Sequence, residues 1–306
     1  MAGAAALIQI IVSVVFYESG SEILSSDWFV WVLNFIPMYA VGLPLGLLAV
    51  RKVPADKLEE HSLGIIGWLK CFVVSIAFMY AGNIVGSLLT AMIGSLTGTE
   101  ADFAVGDLIG SGDTIWIFIF VVVIGPIIEE IIFRKIFIDR LSKYGMSLAI
   151  WFSALAFGLF HGNLNQFFYA AALGLVFGYV YVKTGRLRYS ILLHMCINFM
   201  GSIVSTYFIG KIDLESLDNI ESIVSSGNIP DSIIMFGAYI LVLLALSITG
   251  IIVFFSNIKK IEVPQASMPI VKDERFKTAY LSAGFICLVI YFIVMTIATF
   301  VQLGGI

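Results

Sequence analysis

Three short series of polar residues stand inside apolar surroundings: Glu129-Glu130 with Arg134 following, Phe157 with His161, and His194 with Asn198. A carboxylate can take a proton from water, an imidazole can take, give or hold one, and a carboxamide can donate to an oxyanion. Together they are the parts of a hydrolytic site. A spacing of four residues puts the members of each series on one helix face. Glu130 and Arg134 can therefore neutralise each other where the dielectric is low. Glu129 points about 100° away and has no local cation, so its carboxylate is free to face a cavity as a general base. Phe157 lies one turn beneath His161 as an aromatic floor, and Asn198 can hold a water, a carbonyl oxygen or the imidazole of His194 itself. Plainer readings exist for each series. The charged trio can be a snorkelling cap at a membrane interface, and a single histidine is more often a satisfied core residue than a reacting one. The argument rests on counting them together: of three histidines in the protein, two lie in apolar helices with a partner one turn away. The third, His61, stands in a basic loop after Glu60 and receives no role.

The elements that must position these residues are membrane helices. The 306 residues are 60% hydrophobic and 12% charged, with a mean hydropathy of +1.02, which a water-exposed surface cannot sustain. Apolar runs of about 20 residues recur from end to end, and the alternation of a membrane barrel does not. The fold class is therefore all-α: one integral membrane domain over residues 1–306, a polytopic bundle of eight or nine helices. The expected spans are 4–18, 28–50, 64–95, 114–134, 146–161, 165–182, 189–209, 232–256 and 279–302. The first lacks the basic residues that precede a signal-peptide core and is kept as a membrane helix. Small residues Ala170, Gly174 and Gly178 make a packing stripe on the sixth. The net charge of −4, without a long Lys/Arg tract, argues against a nucleic-acid partner. Cys71, Cys196 and Cys287 stand singly and read as buried small hydrophobes.

Basic residues concentrate in alternate connections: Arg51, Lys52 and Lys57; Lys135, Arg140 and Lys143; Lys183, Arg186 and Arg188; and Lys259 to Lys277. The positive-inside tendency makes those connections cytoplasmic, along with the N-terminus, and puts the C-terminus outside if nine helices cross. The acidic connections around 100–113 and 213–231 belong on the far side. Ionisable groups at membrane depth cost at least about 2.5–3.5 kcal/mol each on insertion scales, so the Glu129-Glu130-Arg134 cluster needs a reason to be there. Pro126 removes a backbone donor just before it, which predicts a kink and a loosened carbonyl ladder.

In this order, on three helices, with Gly125-Pro126 before the first, the Glu-Glu-x-x-x-Arg, Phe-x-x-x-His and His-x-x-x-Asn series resembles the CAAX prenyl protease and bacteriocin-processing (CPBP) family of intramembrane metalloproteases, of the Abi type. The resemblance covers residues 114–205, read as the catalytic core. Lys135 departs from it, standing where many members have glycine. The resemblance implies that Glu129, His161, His194 and Asn198 line a conical catalytic chamber while Glu130, Arg134 and Phe157 support it. It implies an endopeptidase acting on a membrane-associated, prenylated or precursor peptide, in contact with membrane lipid. Two versions of the chemistry stay open. In one, Glu129, His161 and His194 bind a zinc-like divalent ion that lowers the pKa of its water to about 7. Glu129 as a ligand would then leave the base role to Glu130. In the other, the residues activate water without metal and Asn198 with a histidine stabilises the oxyanion. The spans as drawn put Glu129 and His194 shallow and His161 roughly 20 Å deep at about 1.5 Å per residue. Starting the fifth helix earlier, near Leu141, would let them meet in a chamber open toward the cytoplasmic half.

Rival chemistries fare worse. The His-Glu-x-x-His string of a zincin is absent. Ser111 of Gly110-Ser111-Gly112 stands in the acidic connection rather than on a helix beside a histidine. The echo of Gly-x-Gly-Asp there lacks a second intramembrane aspartate. A non-catalytic transporter or scaffold, using the polar cluster as an ion path, is the alternative from another class. No feature specifies an oligomeric state. The short loops and the Lys/Arg pattern suit a bacterial cytoplasmic membrane.

Overall fold

Apolar residues in unbroken runs leave a chain in lipid one way to satisfy its backbone, and that is the helix. The computed structural model describes residues 2–19, 23, 26–99, 113–212, 225 and 229–301. Its helices are α1 (Ala2–Glu18), α2 (Trp28–Val50), α3 (Gly64–Thr97), α4 (Thr114–Tyr144), α5 (Met146–Phe160), α6 (Leu164–Thr184), α7 (Leu187–Ile209), α8 (Asp231–Lys260), α9 (Lys272–Tyr280) and α10 (Ala283–Phe300). Among the described residues seven helices, α2, α3, α4, α6, α7, α8 and α10, are long and apolar enough to cross a membrane. Helices α1 and α5 are shorter apolar ones. The nine expected spans correspond to these nine helices. The connections expected to be acidic, with Gly110-Ser111-Gly112, fall mostly at 100–112 and 213–228, outside the described residues.

Two boundaries differ from the sequence reading. The last span begins at Ala283, because residues 272–280 form the separate charged helix α9. More consequentially, α4 does not stop near Arg134 but runs on to Tyr144. Its charges allow this because each finds a partner. Lys135 pairs with Asp139 at 2.8 Å, and Asp139 accepts from the Tyr181 hydroxyl at 2.7 Å. Arg140 donates to the carbonyls of Ile136 and Val50.

The centre of the bundle is α6, with 56% of its apolar window buried against 11% for α10. One cluster joins Ile76 of α3, Phe177 and Val180 of α6, and Leu193 and Ile197 of α7. Lipid is as apolar as leucine, so close packing rather than dehydration must hold these helices together. Gly174 shows how: a Cβ there would meet the Cα of Ala154 at 2.7 Å, so only glycine lets α5 and α6 approach. Gly250 does the same for α8 and α3, against the backbone of Val73. Ala170 is buried and Gly178 faces Ile150, so the small-residue stripe of α6 is a packing surface. Cys71 and Cys196 are partly buried, whereas Cys287 is exposed on α10 and is not the buried hydrophobe expected.

Candidate active site

Pro126 has no N–H, and α4 widens into π-type turns around it, at Ile117–Ile124 before and Ile131–Ile138 after the regular stretch Gly125–Glu130. Gly125 donates five residues back, to Phe120. In the same register the missing donor of Pro126 leaves the Val121 carbonyl free, and Asn198 Nδ2 on α7 fills it at 2.9 Å. The proline thus creates the acceptor that holds the carboxamide. Of the three roles open to Asn198, the structure shows this one.

On one side of α4 lies a dry ion pair. Arg134 Nε is 3.1 Å from Glu130 Oε2, and both side chains are fully buried. Arg134 also donates to Ser153 at 3.5 Å, and Ser153 in turn donates to the Phe133 carbonyl at 2.6 Å. The remaining guanidinium face lies over the rings of Phe157 at 4.8 Å and Phe177 at 5.6 Å, where a cation is attracted by the ring quadrupole. The snorkelling reading of the trio fails for these two residues, since neither reaches an interface.

His194 joins that pair to the other carboxylate. Its Nδ1 is 3.2 Å from Glu130 Oε1 and its Nε2 is 3.5 Å from Glu129 Oε2. Glu129 keeps 17% of its side-chain surface accessible, where Glu130 keeps none. His161, just past the end of α5, donates from Nδ1 to the Phe157 carbonyl at 2.8 Å, which fixes the tautomer and leaves Nε2 as the free nitrogen. Phe157 stands edge-on to both imidazoles, at 4.9 Å from His161 and 5.5 Å from His194. The expected floor therefore supports both rings and the arginine together.

Glu129, His161, His194 and Asn198 all line one cavity of about 570 Å³. Its remaining wall includes Phe35, Gln166, Ser205 and Ile209, residues from those halves of α2, α6 and α7 that face the acidic connections. The cavity therefore occupies the middle of the bundle and the half away from the basic connections, opposite to the half expected. The cause is the length of α4. With ten more residues after Arg134, Glu129 stands at the midpoint of the helix, roughly 22 Å from Tyr144 at about 1.5 Å per residue. That is the depth of His161, and α5 needs no earlier start, since it begins at Met146.

Comparison with known proteins gives two matches. The sequence model of the family described as "Type II CAAX prenyl endopeptidase Rce1-like" matches residues 111–200. A Bacillus subtilis (strain 168) protein named "Putative membrane peptidase YdiL" is 30% identical over 170 residues, which cover 55% of this chain and 67% of that protein. The chain belongs to the CPBP family of membrane proteases. No solved structure matches. The family match coincides with α4 to α7, the helices whose side chains meet around the cavity.

As CPBP residues, Glu129, His161 and His194 are the ones that would hold a divalent ion. They do not fit one as placed. Among the described residues no three His, Cys, Asp or Glu side chains group closely enough to be ligands.

Sequence reading missed three contributors. Ser153 continues the four-residue series of Phe157 and His161 backwards, a signal that was available. Phe177 had no such signal, because its contact with His194, 5.1 Å between rings, crosses from α6 to α7. The Tyr39 hydroxyl is buried without a hydrogen-bond partner beside Gly125 and within electrostatic range of Glu129, again a contact between distant segments.

Proposed function

We propose that this membrane protease is an intramembrane endopeptidase that hydrolyses a peptide bond with a water activated by Glu129. The observation that carries this reading is the placement of His194 between two carboxylates, one dry and fixed, one open to the cavity. The fixed one, Glu130, anchors the ring, and the ring holds Glu129 where it can take a proton from water. That water adds its oxygen to the peptide carbonyl. The carbonyl carbon becomes tetrahedral, and its oxygen takes the negative charge beside the second N–H of Asn198 Nδ2, the first being held by the Val121 carbonyl. Collapse breaks the carbon–nitrogen bond, and Glu129 returns its proton to the leaving amine.

The substrate is a membrane-associated peptide, prenylated or a precursor, since the cavity lies at membrane depth and a wholly soluble chain would not reach it. With the basic connections in the cytoplasm of a bacterial cell, the N-terminus is cytoplasmic and the cavity takes the outer half of the bilayer. The test is to incubate membranes containing the wild type or Glu129→Gln with a membrane peptide pool and compare the peptides by mass spectrometry. New N-termini should appear with the wild type alone. The same products from Glu129→Gln, or ion flux without any product, would remove the reading.

A further inference from the structure

We propose a second site: the lateral groove between α3, α5, α6 and α8 binds one anionic phospholipid, with acyl chain on its apolar wall and phosphate held by Lys70, Lys183 and Lys260. The groove has a volume of about 460 Å³ and shares no lining residue with the active-site cavity. Its wall is greasy, built from Cys71, Phe78, Trp151, Val176 and Phe254 among others. Its only charged lining residues are those three lysines.

The lysines come from helices running in different directions, Lys183 and Lys260 near one level and Lys70 roughly 10 Å farther along the groove at about 1.5 Å per residue. Lys70 is two turns inside the start of α3, Lys183 is next to last in α6, and Lys260 is the last residue of α8. The start of α3 is fastened to the end of α6, where His61 N–H donates to the Thr184 carbonyl at 2.8 Å. Gly250 brings the last third of α8 against Val73 of α3. Two cations therefore stand at one end of an apolar trough, and a third lines it about two turns inside. All three are exposed, and none is ion-paired with any described carboxylate; Glu262 lies within electrostatic range of Tyr179 without pairing with them.

That composition selects the occupant. An apolar trough in a bilayer fills with acyl chain whatever its charge. Unpaired lysines at its end, on the side of the basic connections, add preference for a headgroup that is negative. A soluble anion would use the lysines and leave the wall bare. A phospholipid with one net negative charge uses both, and by touching three helices it staples α8 to the core.

Trp151 lines the groove and is half exposed, so it reports on the occupant. The full chain in neutral detergent is titrated with phosphatidylglycerol or phosphatidylcholine carrying brominated acyl chains, which quench tryptophan on contact. Subtracting the Trp151→Phe signal isolates the groove. Phosphatidylglycerol should quench at about tenfold lower concentration than phosphatidylcholine, and the gap should close in Lys70→Gln/Lys183→Gln/Lys260→Gln. Should the triple variant fail to fold, the wild type still decides, because raising salt to about 1 M must close the same gap. Equal quenching by both lipids, a gap indifferent to salt, or displacement of the lipid by free glycerol phosphate at like concentration would each overturn the assignment.

Discussion

On the Glu130 side of α4 nothing is accessible: a carboxylate, a guanidinium, a serine hydroxyl and two aromatic rings close on one another. On the Glu129 side, one residue away, the carboxylate faces a cavity with two imidazoles and a carboxamide. Identical side chains are thus given opposite surroundings. The dry side gains rigidity from charges that cannot be separated without cost, and the open side leaves a carboxylate facing the cavity. His194 touches both and transmits the rigidity of one to the geometry of the other.

That contrast predicts mutants of two kinds. Glu129→Gln should lower turnover by about 10²- to 10⁴-fold, the range for losing a general base, while thermal unfolding in detergent stays at the wild-type temperature. A matching fall in stability would erase the distinction between the two sides. Arg134→Met should do the reverse, destabilising the protein by about 3–5 kcal/mol because Glu130 is left buried without the cation that neutralises it. Adding Glu130→Gln to Arg134→Met should restore much of that loss in equilibrium unfolding, and failure to do so would show that the pair is not what the dry side depends on.

Asn198→Ala is expected to cost about 10²-fold in turnover by removing an oxyanion donor and the brace on Val121. Asn198→Asp tests the division of labour: it cannot donate to Val121, so near-normal rates from it would exclude the carboxamide from the mechanism. Ser153→Ala should cost about 1 kcal/mol, read as a small fall in unfolding temperature with turnover nearly intact. The smallest effect expected is that of dialysis against a strong chelator, which should leave peptide cleavage unchanged. Loss of cleavage restored by added zinc would instead show that Glu129, His161 and His194 close around an ion during turnover.

Much of the site was legible because its signals are local. A four-residue spacing fixes relative direction on a helix whatever lies around it, so Glu130 with Arg134 and Phe157 with His161 could be paired on sight. The loosened ladder at Pro126 followed from one missing N–H. Depth was not legible. Arg134, Lys135, Asp139 and Arg140 look like the end of a membrane helix when each charge is counted as bare. They cease to look so once Tyr181 and the Val50 carbonyl are known to satisfy them. The cavity was assigned to the wrong half of the bundle for that reason alone.

By itself, then, the sequence determined an all-helical membrane protein, its order of helices, the family series and which charged residues share a face, since hydropathy and helical period are properties of consecutive residues. Which half of the bundle holds the cavity, that Asn198 braces α4, that Phe177 backs His194 and that three lysines converge on one groove were decided by tertiary structure. Each depends on segments tens of residues apart being brought together by packing, and no local periodicity encodes that meeting.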